Sequence, residues 1–378
     1  MRDIVPPVGF LARCGLAAVT TSCGLLHDMS VDRTYPPEGR LVRVPLSADS
    51  NQQSDLQVHV IERGTGPSVV YLHGNPGFAH EFFSAQLPGG ASLVDDLTSR
   101  HHLVTYDRPG HGETPRSRAA LSIEEQCRLL QSVVQATCQD RPILLAYSWG
   151  GALALAFAQA HPEDVSGVVL LAPIVYPDAD TILGIARFGI AHPVISFVLY
   201  FPFTLGHLTF GGWPLGTAIT RSEVEAAFAP STPPPCCREF LDEATDRWST
   251  TGSIITMIEE DQELWRHAMA SRDGKSDLGY DLGDAWTRMV IVVGADDERV
   301  RPEQHGARLF EERKHAELDC TLWSLPGIGH KIALLEPGVV LQAIEQVGAP
   351  WPIWLNRTDV GVQKSGPSGA ARETGDEP

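Results

Sequence analysis

The sequence predicts an α/β fold: a mostly parallel sheet of eight strands, flanked by helices and carrying one helical cap insertion. Three observations lead there. Short β-branched runs alternate with helix-period patterns, as they do where a parallel sheet is covered by helices. Two strand-like runs open the series before the repeated strand–helix units begin. Between Ala172 and Ala285 the alternation is interrupted once, by a stretch that reads as helical.

Taken in order, strands are expected at 41–46 and 56–62, where Val42, Val44, Val58 and Val60 supply the β-branched positions, then at 68–72, 102–106, 142–147 and 165–171. The last two, 289–293 and 319–325, follow the interruption. Helices are expected at 79–99, 122–137, 149–161, 302–315 and 331–347, each between two strands or after the last. No internal repeat interrupts this order. The resulting organisation is a leader at 1–30, a core at 40–172 and 286–350, a helical cap at 173–285, and a tail at 356–378 of Gly, Ser, Pro and charged residues without periodicity that reads as disordered.

Composition narrows the function classes. The chain has 378 residues, 43% apolar and 20% charged, enough to bury a core. Its formal net charge of −18, with no segregated basic patch, argues against a nucleic-acid partner. Seven cysteines, at 14, 23, 127, 138, 236, 237 and 320, show no metal-ligand spacing, so neither a zinc site nor a disulfide framework is expected.

The leader carries Arg2 and Arg13 before a short apolar run that reaches Thr20-Thr21-Ser22-Cys23. Small residues before a cysteine resemble a bacterial lipoprotein signal, which implies export or membrane anchoring through the N-terminus. The other reading is a leader without that function and a start at Met29. Within the insertion, 188–220 is uncharged and aromatic-rich. Pro193, Pro202 and Pro214, with His192 and His207, speak against a membrane span and for a lid over an apolar pocket.

The chemistry concentrates at strand ends. In Leu144-Leu145-Ala146-Tyr147-Ser148-Trp149-Gly150-Gly151 an apolar strand stops at a serine and a helix begins at once. Such a nucleophile elbow needs small residues two before and two after the serine, so that strand and helix pack closely. Val69-Val70-Tyr71-Leu72-His73-Gly74-Asn75-Pro76-Gly77 is a strand that opens into a tight turn. It offers the Asn75 N–H, and the helix start offers the Trp149 N–H, as donors to an oxyanion. Gly294-Ala295-Asp296-Asp297 and Gly327-Ile328-Gly329-His330 follow the seventh and eighth strands. A serine hydroxyl needs an imidazole within hydrogen-bond reach, and the imidazole needs a carboxylate to fix its tautomer. Ser148, Asp297 and His330 are therefore the candidate catalytic residues, with Asp296 the fallback acid.

These motifs, together with Tyr106-Asp107-Arg108-Pro109-Gly110-His111-Gly112, resemble the α/β-hydrolase superfamily, in the branch that holds epoxide hydrolases, haloalkane dehalogenases, proline iminopeptidases and many esterases. The resemblance spans about residues 40–347. It implies a metal-free, cofactor-free hydrolase, with Asp107 and Arg108 tying loops together beneath the site. Dehalogenases and epoxide hydrolases of this branch use an aspartate nucleophile where this chain has Ser148, which disfavours both chemistries even though Asn75 and Trp149 resemble the halide-binding pair of dehalogenases. A serine hydrolase acting on an ester with an apolar acyl or alcohol part is the expected function. A proline-iminopeptidase-like aminopeptidase or amidase is the alternative, and it would need an acid among Glu223, Glu225, Glu259, Glu260 and Asp261 to face Ser148. A perhydrolase or haloperoxidase-like activity and a non-catalytic receptor are further readings. Ala227-Phe228-Ala229-Pro230 and Tyr35-Pro36-Pro37-Glu38-Gly39 resemble segments of bacterial hydrolases with N-terminal membrane anchors.

Overall fold

Five adjacent strands of the sheet have no exposed residue, which is what both-sided cover by helices requires. The computed structural model describes residues 31, 34–35, 37–45, 55–117, 121–176, 215–270 and 287–349. Eight strands form one sheet: β1 (Arg40–Pro45), β2 (Asp55–Arg63), β3 (Ser68–Leu72), β4 (His102–Tyr106), β5 (Ile143–Tyr147), β6 (Gly167–Leu171), β7 (Met289–Gly294) and β8 (Cys320–Leu325). Their spatial order is β1-β2-β4-β3-β5-β6-β7-β8. β2 is antiparallel to both of its neighbours and every other pairing is parallel.

Side chains of each strand alternate between two apolar layers. Val70, Leu72, Leu144 and Ala146 face one layer, and Val69, Tyr71, Leu145 and Tyr147 face the other. Each large apolar side chain sealed in this way gains about 1.5–3 kcal/mol of transfer free energy. Helices α2 (Ile123–Thr137), α3 (Gly150–Ala160) and α7 (Gly306–His315) cover the first layer. Helices α1 (Leu93–Thr98) and α9 (Pro337–Gly348) cover the second, behind the short α8 (Ile332–Leu335). Helix α2 starts on a reciprocal cap: Ser122 Oγ accepts from the Glu125 N–H and the Glu125 carboxylate accepts from the Ser122 N–H.

Among the described residues three helices, α4 (Leu215–Ala226), α5 (Arg238–Trp248) and α6 (Thr251–Ala270), lie between β6 and β7. Most of the uncharged stretch, the leader and the tail lie outside the described residues. Among the described residues no helix is long and apolar enough to cross a membrane.

Strand positions agree with the expectation to within two residues, and the helices differ in three places. The segment 79–99 is not one helix. Residues 78–85 form turns with bonds three residues back, and Pro88 with left-handed Gly89 and Gly90 separates them from α1. The helix expected at 302–315 begins only at Gly306, because Pro302 to His305 form a turn. The helix expected at 331–347 is split at Pro337, whose ring nitrogen has no hydrogen to donate and therefore sits at a helix start. Cys127 lies on α2, but Cys138 is the residue that ends it.

Candidate active site

Parallel strands deliver their loops to one edge, and the three candidate side chains come from the C-terminal ends of β5, β7 and β8. Ser148 occupies the turn between β5 and α3 at φ +53°, a left-handed conformation that costs a non-glycine residue about 1–3 kcal/mol. The turn is held by its neighbours. The Ser148 N–H donates to the Leu171 carbonyl at 3.0 Å, and the Ser148 carbonyl accepts from Ile174 N at 2.9 Å. Gly150 is obligatory here, because a Cβ on it would lie 2.4 Å from the Leu72 carbonyl oxygen. Ala146 is fully buried in β5.

His330 Nε2 lies 3.0 Å from Ser148 Oγ, and His330 Nδ1 lies 2.7 Å from Asp297 Oδ2. With the carboxylate accepting from Nδ1–H, Nε2 is the atom left to accept the serine proton. The other oxygen of Asp297 accepts from the N–H groups of Arg299 and Val300, both at 2.9 Å. Burial pushes the Asp297 pKa up, but the His330 charge and these donors outweigh it and hold the carboxyl below the ordinary aspartate range. Asp296 does a different job. Its side chain is exposed and accepts from the Gly327 N–H at 2.6 Å, tying down the loop that carries His330.

The turn after β3 passes directly over Ser148: a Cβ on Gly74 would meet the Tyr147 ring at 3.1 Å and Ser148 Cβ at 3.2 Å. Among the described residues neither the Asn75 N–H nor the Trp149 N–H has an acceptor. The side chains of this pair are only partly engaged, since Asn75 Oδ1 and Trp149 Nε1 are buried without a hydrogen-bond partner among the described residues. Asn75 Nδ2 donates to the Met257 carbonyl at 3.0 Å and to Asp261 at 3.3 Å, both on α6, and the Trp149 ring lies 4.4 Å from the Arg108 guanidinium carbon.

Asp107 and His111 do not contact the triad. Asp107 accepts from Ala79 N at 2.6 Å, from Glu113 N at 3.0 Å and from His59 at 2.7 Å, which joins the turn after β3, the loop after β4 and strand β2. Among the insertion's acids, Glu223 pairs with Arg299, Glu225 with Arg221 and Glu259 with Arg116. Glu260 reads in sequence as part of a solvated face or an amine receptor, but it is neither: it is buried against Arg108 and His111. Asp261 is the one of these acids that touches the turn after β3, through Asn75.

One feature had no sequence signal. Lys331, next to His330, is buried, and its ammonium lies 4.7–5.0 Å from the ring centres of Tyr147, Phe240 and Trp248 and 4.0 Å from Glu81. Burial lowers its pKa, and the ring contacts tie α5 to the His330 loop. Cys236 and Cys237 are free thiols with sulfurs 3.9 Å apart. For a metal, the described residues offer His161, Glu163 and Asp164, whose donor atoms lie within 4.8 Å of one another. That group sits beyond the far end of α3 and shares no residue with the site, and Gln131 already bonds His161 and Asp164.

The family model for the alpha/beta hydrolase fold matches residues 67–187, the segment that carries β3 to β6, the turn after β3 and the turn at Ser148. The chain has the α/β-hydrolase fold and is similar to members of that superfamily. It is 28% identical over 143 residues to haloalkane dehalogenase 2 of Mycobacterium tuberculosis, covering 38% of this chain and 46% of that protein. It is 30% identical over 115 residues to the proline iminopeptidase of Lactobacillus helveticus, covering 29% of this chain and 36% of that one. The chain thus spans less than half the length of these curated relatives. In three dimensions it is similar to an esterase from Exiguobacterium antarcticum, with a TM-score of 0.59 and 17% identity over 82% of this chain and 100% of the other. That likeness is one of fold.

Proposed function

We propose that the protein is a serine hydrolase that cleaves carboxylic esters with an apolar acyl or alcohol part. The supporting observation is the hydrogen-bonded series Ser148–His330–Asp297 at 3.0 and 2.7 Å. Ser148 Oγ attacks the acyl carbon while His330 Nε2 takes its proton. The carbonyl oxygen becomes an oxyanion within reach of the Asn75 and Trp149 N–H groups. The intermediate collapses as His330 gives the proton to the leaving oxygen, and the C–O bond breaks to leave an acyl-enzyme. Water then attacks, again deprotonated by His330, and the acid leaves. The apolar preference rests on the rings that the insertion brings to the turn after β3: Phe240 lies 6.1 Å from Phe78, 6.2 Å from Trp248 and 6.3 Å from Phe228.

A fluorophosphonate should label wild-type protein at Ser148 and leave Ser148→Ala unlabelled, and retained labelling in that variant would overturn the nucleophile. In a p-nitrophenyl series, specificity constants should rise from acetate to hexanoate by up to about fourfold per methylene. A second reading is favoured by Asp261, whose carboxylate lies at the oxyanion turn. If it receives a substrate amine, prolyl or alanyl anilides should outperform the neutral esters and lose that advantage on N-acetylation.

A further inference from the structure

We propose that Arg108 is the positioning residue of the oxyanion hole and that Glu260, carried in by helix α6, fixes it there. Seating of the insertion and organisation of the hole are then one event. The proposal rests on the hydrolase reading above.

The peptide unit that bears the Asn75 N–H also bears the Gly74 carbonyl. A trans peptide is planar and points these two groups to opposite sides, so whatever holds the carbonyl aims the N–H. The Gly74 oxygen accepts from Arg108 Nη2 at 3.0 Å and from His73 Nδ1 at 2.8 Å. Arg108 Nη1 donates to the His73 carbonyl one residue earlier. The tautomer of His73 follows from the same residue: its Nε2 accepts from the Arg108 backbone N–H at 3.0 Å, so the proton is on Nδ1. Burial, then the charges of Arg108 and His111, hold the His73 pKa well below the ordinary histidine value, which keeps the ring neutral and able to accept. Donors on the Gly74 carbonyl also polarise the amide and strengthen its N–H. The second oxyanion donor belongs to Trp149, whose ring stacks on the same guanidinium. One side chain therefore touches Trp149 and the peptide unit that bears the Asn75 N–H.

A guanidinium with no exposed surface needs an anion, and the inserted helix supplies it. Glu260 takes a forked pair from Arg108, Nε to Oε1 at 3.1 Å and Nη2 to Oε2 at 2.8 Å, and is held in turn by His111 at 3.0 Å and Gln126 at 3.3 Å. The same turn of α6 reaches Asn75 directly through the Met257 carbonyl. Gly74 and Asn75 are thus gripped from one helix by two routes. Arg108 touches no reacting atom, so its effect should appear where the N–H matters most, in the transition state, and should spare substrate binding.

The test uses the full chain with Glu260→Gln and p-nitrophenyl hexanoate. We expect kcat to fall about 10–100-fold with KM held within about twofold, and the affinity for an alkylboronic acid to fall by the same factor as kcat/KM. That ligand mimics the tetrahedral state, because Ser148 Oγ bonds to boron while His330 takes the proton. Arg108→Lys keeps the charge and loses the fork. It should show the same pattern and carries the same readouts where Glu260→Gln does not fold. Unchanged kcat, or a rise in KM alone, overturns the proposal. The Asn75 amide resonance gives a readout that does not require turnover: it should move in both variants while the Glu125 amide does not. If the wild-type protein resists the fluorophosphonate, the hydrolase reading falls and the Asn75 resonance alone decides, an unmoved signal refuting the positioning role.

Discussion

Asp296 and Asp297 are neighbours of the same chemistry, and the turn after β7 sends them to opposite tasks. Asp297 is buried, accepts three hydrogen bonds and orients His330, whereas Asp296 stays at the surface and holds Gly327. Removing the charge at Asp297 costs His330 both its tautomer and its counter-charge. We expect Asp297→Asn to lower kcat by up to about 10⁴-fold, and Asp296→Asn, which only loosens the His330 loop, to cost far less. Steady-state kinetics on the two variants, with circular dichroism to verify folding, checks the ordering. Ser148, Asp297 and His330 were legible in the sequence because each stands directly after an apolar strand, beside glycines that mark a turn. Glu260 was not legible as a buried residue. A glutamate on a helix reads as solvated until its partner is known, and that partner, Arg108, lies 152 positions away in sequence.

Among the elements, the strands were easier to read than the helices, for a physical reason. Strands buried on both faces must be apolar throughout, so 68–72, 143–147 and 289–294 stand out as uniform runs. The helices of the core inherit only a stripe, and two apolar stripes merged across Pro88-Gly89-Gly90 into an apparent single helix. The elbow shows how one missing side chain sets the distance between elements. Gly150 opens α3 against β3, and any Cβ there would press on the carbonyls of Leu72 and His73, at 2.4 and 2.8 Å. Backbone on both sides leaves nothing flexible to yield. Gly150→Ala should therefore displace Ser148 relative to the His73–Asn75 turn, destabilise the fold by about 1–3 kcal/mol and lower the rate of fluorophosphonate labelling. Gly338→Ala, where a Cβ would meet nothing within 4 Å, is the control and should leave both unchanged.

At the scale of the whole molecule, the acidic groups that stitch its parts together set its response to pH. Asp107 joins loops beneath the site, Asp297 joins the β7 and β8 loops, Glu243 on α5 pairs with His80 and Arg247, and Glu260 joins α6 to the core. In all four burial pushes the pKa up and is outweighed by cationic partners and donors, leaving it below the ordinary value. For Glu260 the fall is from 4.5 to about 2. A carboxyl whose folded pKa lies below its unfolded one stabilises the fold above the unfolded value and loses that contribution as pH falls toward the folded one. His73 acts in the same direction but sooner: it is buried neutral, so unfolding takes up a proton once the pH drops below 6.5. His59 runs the other way. Burial lowers its pKa, Asp107 outweighs burial and raises it, and the net rise gives a contribution present below 6.5 and lost as pH climbs through the folded value. Tm should therefore be highest near neutrality, decline gently below about pH 6.5 and fall steeply between about 4.5 and 2, the window of Glu260. In that window Glu260→Gln, which has no proton to take up, should show a shallower slope of Tm against pH than the wild type whatever its absolute Tm. Parallel slopes would mean that the buried bridge between insertion and core does not govern acid unfolding.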